Sequence, residues 1–177
     1  MSRFFALRDY LSILDSLFRP DLLTDRVESI DLDQLKTQGY QILLLDIDNT
    51  VLRMDERKLS LQCLHWIERA KMLGFLLFFI SNNSKHKRVE LVCEQAKVSG
   101  RFFSCKPFPF SICELLKSLS VKPEKVVVVG DQLFTDVLVS NWIGAYSVLV
   151  DPLDKRLSFF KTLQRQLELS ILGFLVH

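Results

Sequence analysis

The sequence contains little glycine and proline, six and five residues among 177, and no low-complexity tract. Hydrophobic residues make up 49% and charged residues 25%, which is the composition of a folded globular protein. A disordered chain is excluded, because such chains bury too little apolar surface to offset the entropy lost on folding. The length suits one domain with a substantial core, and we predict a single domain over 1–177.

Long apolar runs and a strong net charge are also absent. The longest apolar run lies near 75–80, far short of the roughly 20 residues that cross a membrane. Arg8, Asp9 and Asp15 interrupt the N-terminal region, which therefore lacks the features of a secretory signal. A net charge of +2 without a basic stripe argues against nucleic acid as a partner. We expect a cytoplasmic protein.

Cysteine is sparse and lacks the spacing of a metal site. No two cysteines form a CxxC pair, and no histidine stands at zinc-ligand spacing. We therefore expect reduced thiols rather than a zinc site or disulfides. The cysteines are Cys63, Cys93, Cys105 and Cys113.

Hydrophobic periodicity predicts strands that alternate with helices. Short apolar runs predict strands at 41–47, 75–80, 102–105, 126–129 and 146–150. Apolar residues spaced three and four apart, with their stop signals, predict helices at 32–38, 59–73, 84–97, 110–119 and 135–142. Further amphipathic helices are predicted at 1–18 and 156–177. This order is typical of a doubly wound, three-layer, Rossmann-like α/β domain with about five parallel strands.

Two carboxylates end the first predicted strand. Asp46 and Asp48 follow a continuous apolar run, as expected for a strand covered on both faces. Parallel sheets bind ligands at the carboxyl ends of their strands. Two acids so close repel each other unless a cation or a shared proton separates their roles. A metal site, with one carboxylate as nucleophile and the other as proton carrier, meets that requirement. For a lone D-x-D pair, an Asx turn that closes the strand is the alternative.

Polar residues follow the next three strands as well. Ser81 and Asn82 follow the second strand, Lys106 the third, and Asp131 and Asp136 the fourth. A hydroxyl donates to a phosphoryl oxygen, a lysine neutralises negative charge, and further acids complete a magnesium site. Each residue alone has an ordinary structural explanation, but together they favour Mg²⁺-dependent phosphate chemistry.

This ordered set resembles the haloacid dehalogenase (HAD) superfamily, whose phosphatases use an aspartate nucleophile. Asp-Ile-Asp-Asn-Thr at 46–50 matches the first motif, Ser81 the second and Lys106 the third. The segment 130–136 matches the fourth motif, of G-D-x-x-x-x-D form. Any one motif is weak, but four in order are a specific signal. The resemblance implies a HAD-type fold and an aspartyl-phosphate intermediate.

The resemblance also implies a role for each catalytic residue. Asp46 would attack the phosphorus, and Asp48 would protonate the leaving oxygen and then activate the hydrolytic water. Lys106 and Ser81 would hold the phosphoryl oxygens. Thr50 would brace the loop and, with Ser81 and Asn82, lie against the substrate.

The implied cofactor is Mg²⁺. Asp46, the backbone carbonyl of Asp48, and Asp131 would surround the ion, with Asp136 as a direct or indirect ligand. The division of labour agrees with the chemistry, since a metal-bound acid stays ionised while its neighbour carries a proton.

The intervals between the motifs leave no room for a sizeable cap domain. Only 51–58 separates the first motif from the next helix, and one helix separates Lys106 from the fourth strand. An open site suits a large or surface-presented substrate. The flanks, over about 17–152, resemble a capless subgroup, subfamily IIIA, that includes the phosphatidylglycerophosphate phosphatases of phospholipid biosynthesis. That resemblance implies dephosphorylation of phosphatidylglycerophosphate to phosphatidylglycerol.

A lipid substrate requires contact with a membrane. The helices 1–18 and 156–177 carry basic residues beside apolar stripes, so they could lie at the inner membrane surface. Packing on the core, or in a homodimer, is the alternative. The basic run 85–88 could bind a second phosphate or a lipid surface, or could simply be a solvated turn.

Other functions stay open at the level of sequence. A HAD phosphatase that acts on a protein, sugar or nucleotide phosphate is the main alternative. A non-catalytic phospho-binding or scaffold domain is an alternative of another class. A receiver domain is disfavoured by Asp48, because receivers lack an acid two residues after the acceptor.

Overall fold

Helices and strands alternate through the computed structural model, which describes residues 12–83, 86–101 and 104–154. The helices are α1 (12–18), α2 (Leu32–Thr37), α3 (Leu61–Met72), α4 (His86–Ala96), α5 (Phe110–Leu119) and α6 (Leu138–Ile143). The strands are β1 (Leu22–Thr24), β2 (Ile42–Leu45), β3 (Leu76–Ile80), β4 (Ser99–Arg101), β5 (Val126–Gly130) and β6 (Tyr146–Val150). Of the predicted terminal helices, only 12–18 falls within the described residues; 156–177 lies outside them.

The strands form one parallel sheet with the order β1-β6-β5-β2-β3-β4. β2 is central, with Leu45 opposite Phe79 of β3 on one side and Val129 of β5 on the other. After β4 the chain returns across β2 to form β5. This reversal opens a crevice at the carboxyl ends of β2 and β5, the place where open α/β sheets bind ligands.

Both faces of the sheet are covered by helices. Leu43 and Leu45 of β2 belong to one buried cluster with Ile67 of α3. The intervening Ile42 and Leu44 pack on the opposite face in a second cluster, with α5 and α6. Alternate burial on two faces explains why the strand sequence is continuously apolar. The predicted three-layer α/β fold is confirmed.

Local signals in the sequence set the helix ends. Ser60 caps α3 by accepting a hydrogen bond from the backbone N–H of Cys63 at 3.0 Å. Gly39 and Gly74 follow α2 and α3 with φ of 86° and 78°, a conformation that glycine adopts without strain. These two predicted helix ends agree with the structure.

The edges of the sheet differ from the prediction. The sheet has a sixth strand, β1, which was not predicted. Three residues are too few to show the alternation of apolar and polar residues by which a strand is recognised. The strand predicted at 102–105 differs from the structure: β4 is Ser99–Arg101, and Ser104 and Cys105 are in no strand, while 102–103 lie outside the described residues. Gly100 allows β4 to pack closely on α4, since a side chain there would overlap Cys93.

No cap fold is inserted within the described residues. The loop between β2 and α3 turns back at once through a bridge between Asp48 and Leu52. α5 is the one α-helix between Lys106 and β5. None of the described helices is both long enough and apolar enough to cross a membrane.

A side-chain pair joins β1 to the rest of the sheet. Asp21 Oδ2 accepts hydrogen bonds from the backbone N–H and the hydroxyl of Ser147, at 2.7 and 2.8 Å. The Ser147 hydroxyl accepts in turn from the backbone N–H of Asp21 at 3.0 Å. Ser147 is fully buried, so its hydroxyl has no exchange with water.

Replacing Ser147→Ala should lower the free energy of unfolding by about 1–2 kcal/mol, because one donor and one acceptor are lost at a buried position. Urea denaturation measures the change. Ser118→Ala is the control, since that hydroxyl bonds only the Leu115 carbonyl within α5 and its residue is exposed. Equal, small changes in both variants would contradict the role of the pair.

Candidate active site

The end of β2 places the first carboxylate at the crevice. The backbone N–H of Asp46 donates to the carbonyl of Val129 at 2.9 Å, which extends the pairing of β2 with β5 by one residue. The backbone of Asp46 is therefore held by the sheet itself, independently of its side-chain contacts. Its residue is buried, with 6% of its surface exposed.

The loop after Asp46 is a tight turn that brings Thr50 back onto it. Asn49 has a φ of 67°, a left-handed conformation that asparagine tolerates better than most residues. The backbone N–H of Val51 donates to the carbonyl of Ile47 at 3.2 Å. The Thr50 hydroxyl lies 3.2 Å from Asp46 Oδ2 and 3.5 Å from Asp131 Oδ1, to either of which it can donate. Thr50 thus braces two carboxylates; its predicted contact with substrate stays a prediction.

A lysine lies between two carboxylates at the centre of the site. Lys106 Nζ donates to Asp46 Oδ1 at 2.7 Å and to Asp136 Oδ1 at 2.5 Å. The side chains of all three residues are at most 8% exposed. A buried charge is costly unless it is paired, and this triad pairs each one.

Burial and charge act against each other within the triad. Burial raises the pKa of Asp46 to about 6, although the ammonium of Lys106 opposes the rise. Burial alone would lower the pKa of Lys106, but Asp136 and Asp46 outweigh it and raise that pKa above its ordinary value. Lys106 therefore stays positively charged, as neutralisation of a phosphoryl group requires.

The loop that carries Lys106 is tied to the end of β3. Asn82 accepts from the backbone N–H of Lys106 through Oδ1 and donates to its carbonyl through Nδ2, both at 2.8 Å. The backbone N–H of Ser104 donates to the carbonyl of Ser81 at 2.9 Å. Asn82 thus holds the lysine loop in place, and its predicted contact with substrate stays a prediction.

Ser81 is placed for the role that its motif implies. It is 1% exposed, and its hydroxyl oxygen accepts from the backbone N–H of Asn83 at 3.0 Å. A hydroxyl that accepts one bond still has its own hydrogen to donate. That hydrogen can reach a phosphoryl oxygen in the adjoining pocket, which Ser81 lines.

A π-helical turn after β5 delivers Asp136. This turn, Leu133–Val137, replaces the first part of the helix predicted at 135–142. Asp136 Oδ2 accepts from the backbone N–H of Gln132 at 3.2 Å and from the Thr135 hydroxyl at 3.3 Å. Single π turns are common at functional sites, because the wider turn re-aims one side chain.

Gly130 makes room for that side chain. A Cβ atom built at Gly130 would overlap the carboxylate of Asp136. The glycine of the fourth motif is thus required by close approach of Asp136 to the strand end.

Three buried carboxylates form a group suited to Mg²⁺. Oxygens of Asp46, Asp131 and Asp136 all lie within 4.8 Å of one another. Carboxylate oxygens are the ligands that Mg²⁺ prefers. Lys106 contacts two of these three carboxylates, those of Asp46 and Asp136, and brings one positive charge to the group. The donor set and its charge fit a divalent cation.

Asp48 is held by Arg88 and Asn83, for which no catalytic, substrate-binding or metal role was predicted. Arg88 Nε donates to Asp48 Oδ1 and Asn83 Nδ2 donates to Asp48 Oδ2, both at 2.8 Å. Arg88 also donates to the backbone carbonyls of Glu56, at 2.6 Å, and Arg53, at 2.7 Å. One guanidinium thus fixes the Asp48 carboxylate to the loop after β2. Nothing in the sequence separates Arg88 from its basic neighbours at 85–87; only the fold identifies it.

These side chains surround a small, open pocket of about 160 Å³. It is lined by the predicted residues Asp46, Asp48, Ser81, Asn82 and Lys106, together with Met54, Asn83, Gln132 and Thr135. A pocket of this size accepts a phosphoryl group but not the rest of a large substrate.

Comparison with known proteins gives the family. Residues 10–153 match the model of the family described as "Mitochondrial PGP phosphatase". The chain belongs to this family. It is also 30% identical over 163 residues to the "Probable phosphatase YqeG" of Bacillus subtilis (strain 168), covering 92% of this chain and 94% of the relative.

Solved structures show the same fold at low identity. An uncharacterized protein from Listeria monocytogenes serotype 4b superposes with a TM-score of 0.53 at 17% identity, covering 67% of this chain and 85% of that chain. A hypothetical protein from Xanthomonas campestris gives a TM-score of 0.50 at 12% identity, covering 70% and 71%. The family match therefore identifies this PGP phosphatase family member as an enzyme. It is a phosphatase of the HAD superfamily.

Replacing Gly130→Ala should lower kcat by about 100-fold, because the added methyl displaces Asp136 and misplaced catalytic groups cost on this order. Steady-state hydrolysis of para-nitrophenyl phosphate measures the loss. Gly144→Ala is the control: its methyl meets open space but its φ is 77°, so it should lose stability and keep kcat within about twofold. A fully active, folded Gly130→Ala variant would contradict the steric role.

Replacing Arg88→Lys should lower kcat by about tenfold or more, because lysine keeps the charge but cannot reach Asp48 and two carbonyls with one planar group. The loss should appear in kcat more than in KM, since the pocket itself keeps its lining. Arg69→Gln is the control, an exposed arginine paired with Asp33 at the surface. If Arg88→Lys and Arg69→Gln behave alike, Arg88 does not position Asp48.

Proposed function

We propose that this phosphatase is a Mg²⁺-dependent phosphomonoesterase that converts phosphatidylglycerophosphate to phosphatidylglycerol through an aspartyl-phosphate intermediate. The observation that carries the chemistry is the buried Lys106 between Asp46 and Asp136, with Asp48 two residues from the nucleophile. The family match supports the substrate.

The first step forms the phosphoenzyme. The Asp46 carboxylate attacks the phosphorus, and the bond between phosphorus and the leaving oxygen breaks. Asp48 gives a proton to that oxygen, so the product leaves as a neutral alcohol. Lys106 and the Ser81 hydroxyl stabilise the negative charge on the phosphoryl oxygens.

The second step regenerates the enzyme. Asp48 takes a proton from water, which attacks the aspartyl phosphate and releases inorganic phosphate from Asp46. Mg²⁺ held by Asp46, Asp131 and Asp136, with the Asp48 carbonyl, would neutralise charge on the transferred group. Arg88 and Asn83 keep Asp48 in one orientation through both steps.

The open site supports a substrate presented at a surface. The 160 Å³ pocket holds only the phosphoryl end, and no cap within the described residues would have to open for a lipid to approach. Large apolar side chains stand exposed near the pocket: Met54 lines it, and Phe108 and Phe110 follow Lys106 closely in the chain. Apolar and aromatic residues at a membrane interface stabilise peripheral binding.

The enzyme would then act as a peripheral protein that meets the bilayer with the catalytic end of the sheet, and we place it at the cytoplasmic face as part of the same proposal. The terminal helices predicted for that contact lie mostly outside the described residues, and their role stays a prediction. A homodimer through those helices likewise stays a prediction.

Wild-type protein should release phosphate from phosphatidylglycerophosphate in mixed micelles only when Mg²⁺ is present, and Asp46→Asn should be inactive because an amide cannot form the intermediate. A malachite-green assay measures the release, with para-nitrophenyl phosphate as a second substrate. Addition of EDTA should abolish both activities, and Mg²⁺ should restore them.

The pair of substrates separates chemistry from specificity. Activity on the small ester alone, lost in Asp46→Asn, would keep the phosphatase and reject the lipid. It would favour a protein, sugar or nucleotide phosphate instead. Activity that survives in Asp46→Asn would reject the aspartyl-phosphate mechanism.

A further inference from the structure

A second cavity, of about 810 Å³, lies beside the catalytic pocket. We call it the lateral groove; one wall is residues 54–57, after β2, and the other is formed at the start of α4 by His86, Lys87, Arg88 and Leu91. Met54 lines both cavities, so the groove and the pocket lie on either side of a shared residue. The groove is about five times larger than the pocket, enough for the part of a substrate that the pocket cannot hold.

Arg88 shows on which side of the phosphoryl group the groove lies. It lines the groove and at the same time donates to Asp48 Oδ1 at 2.8 Å. Asp48 is the residue that gives its proton to the leaving oxygen in the proposed mechanism. The alcohol part of the substrate must therefore lie next to Asp48, and the groove is the space on that side.

Some charged residues of the groove are in ion pairs and others are not. Arg53 lies 3.5 Å from Asp55 and 3.6 Å from Glu56, so the acidic residues of this wall already have a cationic partner. Arg88 is paired with Asp48. Within the described parts of the chain, the side chains of Arg57 and Lys87 are in no ion pair, and both residues are exposed.

Apolar surface lies beside these two cations. Met54 is 46% exposed and Leu91 is half-buried, and both line the groove with Arg57 and Lys87. Unpaired cations next to apolar side chains are complementary to an anion carried on a short carbon chain. A neutral or purely apolar alcohol would leave both cations without a partner.

We propose that the lateral groove binds the alcohol part of the substrate, and that Arg57 and Lys87 bind a second phosphate, a phosphodiester, within it. This proposal rests on the proposed function and assigns the residues that would select its substrate. The headgroup of phosphatidylglycerophosphate has this chemistry, with a phosphomonoester at one end of a glycerol and a phosphodiester at the other. Met54 and Leu91 would pack against the glycerol carbons.

Two water-soluble substrates isolate the diester. Glycerophosphoglycerophosphate carries both phosphates without acyl chains, and glycerol 3-phosphate offers a glycerol leaving group without the diester. We define the selectivity as the ratio of kcat/KM for the first to kcat/KM for the second. Lys87→Gln and Arg57→Gln should each lower this ratio by about tenfold, the size expected for loss of one partly solvated charged hydrogen bond. The double variant should lower it further.

Two control variants guard against a general loss of charge or fold. Arg57→Lys keeps the positive charge and should retain most of the selectivity. Lys122→Gln removes a lysine that is exposed at the opposite edge of the sheet, before β5, and should leave the ratio as in wild type. A ratio within twofold of wild type in the double variant would overturn the proposal.

A binding measurement separates failure of the groove from failure of the proposed function. Isothermal titration of glycerophosphoglycerophosphate into Asp46→Asn protein, with Mg²⁺ present, needs no turnover. Adding Lys87→Gln and Arg57→Gln should raise the Kd by about tenfold or more. If wild type proves inactive on every ester yet this shift is seen, the groove stands and the proposed function fails. If wild type is active and the Kd does not change, the groove is overturned and the phosphatase stands.

Discussion

The ion pairs of Lys106 with Asp46 and Asp136 are the interaction on which the rest of the site depends. Three buried charges are tolerated only when each has a close partner, since removal of one partner leaves the others desolvated and unpaired. Neighbouring residues keep these charged side chains close to one another. Asn82 holds the backbone of Lys106 at both its N–H and its carbonyl, and Gly130 leaves the space that Asp136 occupies.

The topology of the sheet explains why these charges meet. Asp46 and Asp136 are 90 positions apart in the sequence, but β2 and β5 are neighbours because the chain reverses direction across the sheet after β4. The reversal leaves the ends of two adjacent strands without a shared connection above them. Polar side chains can occupy that crevice without disturbing the apolar layers on either face of the sheet.

Most of the strands and most of the residues around the pocket could be predicted from the sequence. The features that could not be predicted have physical reasons. Asp46, Asp131 and Asp136 could be predicted because each stands at a fixed offset from a buried apolar strand, and strand ends converge in a parallel sheet. The position of β4 could not, because Ser99–Arg101 lacks the apolar pattern of a strand, and the close approach of Gly100 to Cys93 is visible only in the fold. The bond between Arg88 and Asp48 could not either, since it joins two segments that only the packed fold brings together.

The absence of a cap changes where specificity can arise. In an enclosed site, a cap surrounds the substrate and excludes water, whereas here the walls available are the short loop after β2 and the start of α4. Arg88, at the start of α4, donates to backbone carbonyls of the loop after β2 and to Asp48. The walls that face the alcohol part of the substrate are therefore held in a fixed position relative to the residue that protonates the alcohol. Hydrolysis of an aspartyl phosphate needs water in any case, and an open site supplies it. For a lipid substrate, the bilayer itself would limit the approach of competing small esters, because the exposed Phe108 and Phe110 would turn the open edge toward the membrane. For such a substrate the open site is a functional requirement, because a cap would block the approach of the membrane surface.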